Sequence, residues 1–380
     1  MNYKIPLFKT YSDEDDVNAV TKIIKRGTFW ADGPEISEFE SKVADYIGVK
    51  YALAFNSGTS ALHVMFLAYN IKNSEVIVPA FTFVATANAV VLAGGKPVFA
   101  ETETDTFGLD VEDVRKRITS KTKAIVTIHY GGFPARDTEK LRALADEYNI
   151  LFLEDAAQSF GASINNKMIG SFGDSSIFSF CQNKILPTGE GGMILTNSVD
   201  IYEKAKLLRS HGRIENEEDY FSTTKDNDYI EAGYNFRLPT MLAALGISQL
   251  NKVQKLIDMR RSAADYLISN LSVISDIFFM KKIDCAYQVF QMFTFKLSNK
   301  KIRDDLQEYL ISNSIMCKIY FNPINLKTLY INNFNCKKGD LPITEDLADK
   351  VLTIPFYPGI ERHELDYLIE TIKAFFKTKE

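Results

Sequence analysis

Between residues 51 and 196, short apolar runs alternate with helical patterns. The runs at residues 51–55, 76–78, 123–129 and 151–154 are largely apolar along their length rather than alternately apolar and polar. Strands of that kind are typical of a sheet that is buried on both faces, and strands separated by helices are usually parallel. The pattern predicts an α/β fold with a mostly parallel sheet between helices.

The rest of the chain predicts a second, smaller α/β domain. Apolar helices follow Arg237 and run to about residue 271, after which strand and helix patterns mix. We expect a large domain over residues 1–250 and a small C-terminal domain over residues 251–380, with residues 1–12 able to pack on the small domain. The polar, acidic segment 215–228 is predicted to be a mobile loop.

Composition excludes several classes of function. The net charge of −5 and the lack of a Lys or Arg block argue against nucleic-acid and membrane partners. The apolar stretch 76–95 fits a buried strand and helix better than a membrane span, and the N-terminus lacks a signal peptide, so we expect a soluble, cytoplasmic protein. The cysteines have no C-x-x-C spacing and predict neither a metal site nor disulfides: Cys181, Cys285, Cys317 and Cys336.

Two loops that follow predicted strands have the features of ligand sites, since ligands bind beyond the carboxyl ends of parallel strands. Ser57, Gly58 and Thr59 lie between a strand and a helix, where free N–H groups and hydroxyls suit a phosphate. A simple capped helix start explains them equally well. Asn235, with Arg237, is a further candidate anion ligand, although a surface arginine is common.

Asp155 and Lys184 predict more specific chemistry. Asp155 ends an apolar strand, so it is either a helix cap or the counter-ion of a buried cation such as a protonated pyridine nitrogen. Lys184 lies between an apolar strand and a glycine-rich turn, where burial would make its amine neutral and nucleophilic. A phosphate site, a counter-ion and a reactive lysine together match pyridoxal phosphate (PLP).

At this point the sequence resembles the DegT/StrS family of sugar-nucleotide aminotransferases. The resemblance covers nearly the whole chain and rests on motifs at residues 56–61, 78–88, 154–158, 170–174, 179–184, 189–193, 233–237 and 355–358. It implies PLP-dependent transferase fold type I and a homodimer whose active sites lie at the subunit interface.

The resemblance also implies roles for individual residues. Lys184 would bind PLP covalently, Asp155 would pair with the pyridine nitrogen, and Gln158 would lie near the phenolic oxygen. Phe83 would stack on the ring. The phosphate would be held by Gly58 and Thr59 of the Ser57 loop and by Ser179, and Asn235 would reach the phosphate bound by the other subunit.

The expected reaction moves an amino group from an amino acid, by resemblance glutamate, to a keto-deoxysugar nucleotide. A 4-keto-6-deoxyhexose is the expected acceptor, and aminosugar and surface glycan biosynthesis the expected pathway. The alternatives are a ketocyclitol (scyllo-inosose-type) aminotransferase, a PLP-dependent sugar dehydratase and a non-catalytic PLP-binding dimer. Lys184 argues against the dehydratase, because such relatives carry His there, and the presence of both Lys184 and Asp155 argues against the non-catalytic dimer.

Other enzyme classes fit the sequence less well. No G-x-G-x-x-G follows a strand, which argues against a nicotinamide oxidoreductase. Cys181 and Asn325 depart from residues that are common in the family, and both are expected near the substrate. His129 and His211 could also approach the site.

Overall fold

The computed structural model of the chain describes residues 3–214, 224 and 228–377. Most of the predicted mobile loop at 215–228 therefore lies outside the described residues. The strands are β1 Tyr51–Phe55, β2 Glu75–Pro79, β3 Lys96–Ala100, β4 Thr122–Ile128, β5 Leu151–Asp155, β6 Ser163–Ile164, β7 Lys167–Met168, β8 Ser175–Ser179, β9 Gly192–Thr196, β10 Ile277–Phe279, β11 Ala286–Tyr287, β12 Phe293–Leu297 and β13 Val351–Ile354.

The helices precede, separate and follow these strands. They are α1 Glu14–Arg26, α2 Pro34–Ile47, α3 Gly58–Ala68, α4 Ala85–Leu92, α5 Val111–Arg117, α6 Thr138–Tyr148, α7 Val199–Arg209, α8 Thr240–Asn251, α9 Val253–Leu271, α10 Lys300–Ser312, α11 Thr328–Phe334, α12 Pro342–Lys350 and α13 Arg362–Lys377. No helix within the described ranges is both long and apolar enough to span a membrane. Residues 76–95 form β2, α4 and their connections, as the sequence predicts.

The central sheet has seven strands in the order β1-β9-β8-β5-β4-β2-β3. The pairs among β2, β3, β4, β5 and β8 are parallel, and β9 runs antiparallel to both of its neighbours. The prediction of a mostly parallel sheet is therefore confirmed. The ends of β1, β2, β4, β5 and β8 and the start of β9 meet at one edge, where the connecting loops come together.

Successive side chains of each strand enter different core clusters. In β1, Ala52 and Ala54 pack into one cluster with α2 and α6, whereas Leu53 and Phe55 pack into another with α3. In β2, Ile77 joins the first cluster and Val78 the second. Since both faces are buried, apolar residues are needed at every position, which explains the continuous runs in the sequence.

The start of α1 is held by contacts with α8. The N-cap is Asp13, whose backbone N–H donates to the Asp16 carboxylate at 3.0 Å. Asp16 is itself buried and accepts hydrogen bonds from Ser248 and Gln249 of α8. These tertiary contacts fix the first turn of the helix.

The C-terminal part contains a second sheet, in the order β10-β12-β13, with its own core cluster. Ile5 is buried in this cluster and forms a bridge with Ile315. Helix α9 connects the two parts, because Ile257 belongs to the first cluster of the large sheet and Leu267 to the cluster of the small sheet. A boundary at residue 250 stays a prediction.

Candidate active site

A cavity of about 330 Å³ opens where the loops from the large sheet meet the C-terminal part. Except for Asn235, every residue for which the family resemblance implies contact with the cofactor lines it, together with Ser57 of the same loop: Ser57, Gly58, Thr59, Phe83, Asp155, Gln158, Ser179 and Lys184. The topology explains the convergence, since these residues follow or end strands that point toward the same edge of the sheet.

One end of the cavity is the N-terminus of α3. Ser57 caps the helix, and its Oγ accepts the backbone N–H of Ser60 at 3.0 Å. The Ser60 hydroxyl in turn donates to Asn56 Oδ1 at 2.7 Å, which fixes the turn between β1 and α3. The first N–H groups of a helix have no partner within it and carry a partial positive charge, so this end suits an anion.

Two glycines allow the α3 start to lie against the sheet. A Cβ on Gly58 would lie 2.9 Å from Ser179 Cβ, so only glycine brings this loop beside β8 and its hydroxyl. A Cβ on Gly192 would lie 2.4 Å from the Ser57 carbonyl oxygen and 2.5 Å from Gly58 N. The glycine-rich motif at 189–193 thus lets the start of β9 pack closely against the N-terminus of α3.

Asp155 is a buried carboxylate at the end of β5. Burial raises its pKa, while a hydrogen bond from the Thr86 hydroxyl at 2.7 Å, another from the Ala157 N–H at 3.2 Å and the nearby charge of Lys184 act in the opposite direction. Such a carboxylate is most stable in its charged form when a cation lies against it. Sequence reasoning missed the Thr86 contact, although Thr86 belongs to one of the family motifs.

Lys184 lies in the loop between β8 and β9. The neighbouring Ile185 and Leu186 are buried in the core of the large sheet and anchor the loop, while the Lys184 backbone N–H donates to the Cys181 carbonyl at 2.9 Å. Burial of the side chain lowers the pKa of its amine, and Asp155 acts in the opposite direction. The lowered pKa increases the fraction of neutral, nucleophilic amine.

Gln158 and Phe83 present different groups to the cavity. The Gln158 side-chain oxygen accepts the Gly131 N–H at 2.7 Å, so its amide NH₂ is the group left to donate. Phe83 is 58% exposed, and its ring centroid is 6.3 Å from that of Phe321. Its ring therefore keeps a surface that can contact a ligand.

His129 lines the cavity and both of its ring nitrogens are engaged. Its Nδ1 accepts the Ala135 N–H at 3.0 Å, so the proton is on Nε2, which lies 3.1 Å from the Glu154 carboxylate. Glu154 also accepts the backbone N–H groups of Gly170, Phe172 and Gly173 at 2.7–3.0 Å. These contacts fix the His129 ring, and Glu154 explains the motif at 170–174.

Three of the positions considered in the sequence lie elsewhere or act differently. Within the described residues, neither Asn235 nor His211 lines the cavity, and Asn235 forms a backbone bridge with Ser210. The role of Asn235 in a second subunit stays a prediction. Cys181 does line the cavity, with its Sγ 3.6 Å from Glu190, and burial raises the pKa of its thiol.

Asn325, expected near the substrate, is not among the described residues that line the cavity. It is buried, because the adjacent Ile324 donates its N–H to the Ala80 carbonyl at 2.9 Å and packs into the core beside α3. Its place relative to a bound substrate stays a prediction.

Sequence reasoning also missed the wall that the C-terminal part contributes. Its lining residues are Gln291, Met292, Lys318, Tyr320 and Phe321. They lie more than 100 residues beyond Lys184 in the chain, in segments with no motif of their own. Only the packing of the second sheet against the first brings them to the site.

Comparison with known proteins places this geometry in a family. The DegT/DnrJ/EryC1/StrS aminotransferase family model matches residues 10–373. A GDP-perosamine synthase of Escherichia coli O157:H7 is 30% identical over 376 residues, covering 99% of both chains. A UDP-4-amino-4,6-dideoxy-N-acetyl-β-L-altrosamine transaminase of Campylobacter jejuni is 36% identical over 264 residues, 68% of both chains.

A solved structure supports the same grouping. PseC of Helicobacter pylori, an aminotransferase involved in the biosynthesis of pseudoaminic acid, superimposes with a TM-score of 0.91 and 28% identity. The match covers 98% of this chain and 99% of PseC. By the match of the family model over nearly its whole length, this chain belongs to the DegT/DnrJ/EryC1/StrS aminotransferase family.

Proposed function

We propose that this protein is a PLP-dependent aminotransferase that moves an amino group from glutamate to the ketone of a keto-deoxysugar nucleotide, a 4-keto-6-deoxyhexose. The observation that carries the proposal is that Lys184, Asp155 and the N-terminus of α3 line one cavity. The names of the relatives support the substrate class, since the perosamine synthase and the altrosamine transaminase are both named for an amino sugar linked to a nucleotide.

The residues present fit PLP. The α3 start, with Gly58, Thr59 and the Ser179 hydroxyl, would hold the phosphate. A Cβ at position 58 would occupy the space between this loop and Ser179. Asp155 is buried with a raised pKa, and a protonated pyridine nitrogen beside it would stabilise its charged form. Gln158 offers its NH₂ to a ring oxygen, and Phe83 offers its ring face.

The chemistry divides between the cofactor and the protein. When bound, PLP supplies an aldehyde and a ring that accepts electrons from the carbon bearing the amino group. The Asp155 carboxylate would keep a proton on the ring nitrogen. The Lys184 amine, whose pKa is lowered by burial, would take the proton from the donor Cα and return one during amination of the ketone.

A coupled assay tests the proposal. Purified protein with PLP, glutamate and a panel of 4-keto-6-deoxyhexose nucleotides should produce 2-oxoglutarate and an aminosugar nucleotide. Lys184→Ala should abolish turnover and the visible absorption of lysine-bound PLP. Lys167→Ala, on an exposed position of β7, is the matched control and should retain both.

Two results would contradict the proposal. One is PLP absorption that persists unchanged in Lys184→Ala. The other is a wild-type enzyme that fails to form 2-oxoglutarate with every ketosugar nucleotide tested. Formation of 2-oxoglutarate with scyllo-inosose instead would favour the ketocyclitol alternative.

We further propose that the enzyme is a cytoplasmic homodimer in which Asn235 of one subunit binds the phosphate held by the other. Sedimentation and an Asn235→Ala variant would test this.

A further inference from the structure

Lys318 is a cation that lines the cavity. The proposed reaction assigns no role to it. Among the described lining residues, the Lys and Arg side chains are Lys184 and Lys318 alone. In the proposed function, Lys184 binds PLP and the N-terminus of α3 binds its phosphate. Lys318 is exposed, and no carboxylate within the described part of the chain forms an ion pair with it.

The backbone around Lys318 is held on both sides. Lys318 exchanges both backbone hydrogen bonds with Thr353 of β13, at 2.9 Å each. The Tyr320 carbonyl accepts the hydroxyl of Tyr130, which lies just after β4 of the large sheet. The Tyr130 hydroxyl also contacts Thr294, whose own hydroxyl lies 2.7 Å from that of Thr353. The segment is therefore fixed to both sheets.

The side chain is directed along a wall of the cavity. Lys318 Nζ lies 4.8 Å from the centre of the Tyr320 ring, and both residues line the cavity. The carboxylates among the described lining residues are Asp155, which faces the PLP ring in the proposed function, and Glu190, which lies beside Cys181. An ammonium held in this way, without a carboxylate of its own, suits an anionic group brought by a substrate.

We infer that Lys318 binds a carboxylate of the amino acid donor. The inference rests on the proposed function. The donor's carboxylates are bonded to the reacting Cα or lie two methylenes away from it, so they must enter the cavity when Cα reaches Lys184. The diphosphate of a nucleotide sugar is separated from the ketone carbon by the hexose ring and lies farther out.

Binding and half-reaction measurements on the PLP-loaded enzyme test this inference. Lys318→Ala should raise the Kd for 2-oxoglutarate, measured by calorimetry, roughly 10- to 100-fold, the loss expected for a charge-assisted hydrogen bond. The Kd for UDP and GDP should change less than twofold. Lys318→Arg should recover most of the affinity, and Lys327→Ala, an exposed lysine outside the described lining, should match the wild type.

The single-turnover reaction with amino acids identifies the carboxylate. A slower reaction with glutamate but not with alanine assigns Lys318 to the side-chain carboxylate, and equal slowing assigns it to the α-carboxylate. Unchanged 2-oxoglutarate binding in Lys318→Ala, or equal weakening of UDP and GDP, would overturn the inference. A wild-type enzyme that does not react with glutamate would instead contradict the proposed function.

Discussion

At the scale of single residues, the site depends on how the charge of Asp155 is stabilised. The carboxylate is buried, which favours its neutral form, and the Thr86 hydroxyl is the leading contact that favours the ionised form. Thr86 is itself fully buried and lies on α4, after β2. The ionised form of Asp155 is therefore stabilised by a residue of α4, a helix that follows a different strand of the sheet.

Thr86→Val should weaken PLP binding and slow turnover. Without the hydroxyl, the pKa of Asp155 rises further and less of the carboxylate is available to hold the proton on the ring nitrogen. We expect a loss of roughly tenfold in PLP affinity, the lower limit for a hydrogen bond to a charged group. Titration of the apoenzyme with PLP, followed by absorbance, measures it.

Two variants separate this effect from a general loss of packing. Thr86→Ser keeps the hydroxyl and should bind PLP nearly as the wild type does. Thr127→Val replaces a buried threonine of β4 whose hydroxyl does not contact Asp155, and it should leave PLP affinity unchanged. Equal affinity in Thr86→Val and wild type would refute the role of this hydrogen bond.

Replacing the Asp155 carboxylate itself is a stricter test of the pyridinium argument. Asp155→Asn keeps the size of the side chain but removes its charge, so the ring nitrogen loses the partner that keeps it protonated. We expect kcat to fall by at least a hundredfold, which corresponds to about 3 kcal/mol of transition-state stabilisation. Near-normal turnover, measured as 2-oxoglutarate release, would contradict the pyridinium argument.

Among the secondary-structure elements, α3 and β9 form the contact on which the proposed phosphate site depends. The start of β9 passes directly under the first turn of α3, at a separation that only a glycine at 192 allows. The loop before β9 carries Lys184, so the phosphate end and the reactive amine are linked through one short segment. A shift of β9 would move both groups.

Gly192→Ala should lower both stability and PLP affinity. The added Cβ would lie 2.4 Å from the Ser57 carbonyl oxygen, a backbone atom that cannot move without displacing the α3 start. We expect a stability loss of about 1–3 kcal/mol, as for other overpacked sites. Thermal unfolding and PLP titration measure the two effects.

Gly246→Ala is a useful comparison because its added Cβ would also overpack the core. Its Cβ would meet the Phe39 ring at 2.6 Å, in the core between α8 and α2 and away from the cavity lining. This variant should lose stability and keep its PLP affinity. If Gly192→Ala behaved in the same way, the α3–β9 contact would have no specific part in cofactor binding.

At the scale of the whole molecule, the cavity is closed by two parts of the chain that have separate cores. The large sheet supplies Asp155 and Lys184, and the smaller C-terminal sheet supplies Lys318 and its neighbours. Helix α9 and the hydroxyl contacts of Tyr130 connect the two parts. The cavity can therefore form only when both parts are folded and packed together.

Removal of PLP should destabilise the fold. Asp155 has a raised pKa, so its contribution to stability is full below its unfolded pKa and is lost as pH rises through the folded value. Lys184 has a lowered pKa, so its contribution is present at high pH and is lost as pH falls through the folded value. Near neutral pH, both groups therefore lower the free energy of unfolding of the apoprotein.

Bound PLP would relieve both costs, because its protonated ring nitrogen would lie against Asp155 and its bond to Lys184 would remove the titrating amine. With PLP far above its Kd, we expect Tm to rise by roughly 5–10 °C. Scanning calorimetry with and without PLP measures the shift. Lys184→Ala should show a smaller rise than wild type, and an identical rise would contradict this account.

The fold class and several cavity-lining residues could be predicted from the sequence alone. Continuous apolar runs required a sheet covered on both faces, and the parallel topology then brought Ser57, Asp155 and Lys184 to one edge because each follows or ends a strand. These inferences depend on local patterns and on chain direction. They needed no knowledge of which distant side chains meet.

The hydrogen-bond partners of those residues could not be predicted from the sequence and are known only from the folded structure. The Thr86–Asp155 hydrogen bond, the engagement of both His129 nitrogens and the inward turn at Asn325 each depend on segments far apart in the chain. The wall that contains Lys318 arises from the packing of one sheet on another. A side chain's partners follow from distances in the folded molecule, which spacing along the sequence does not specify.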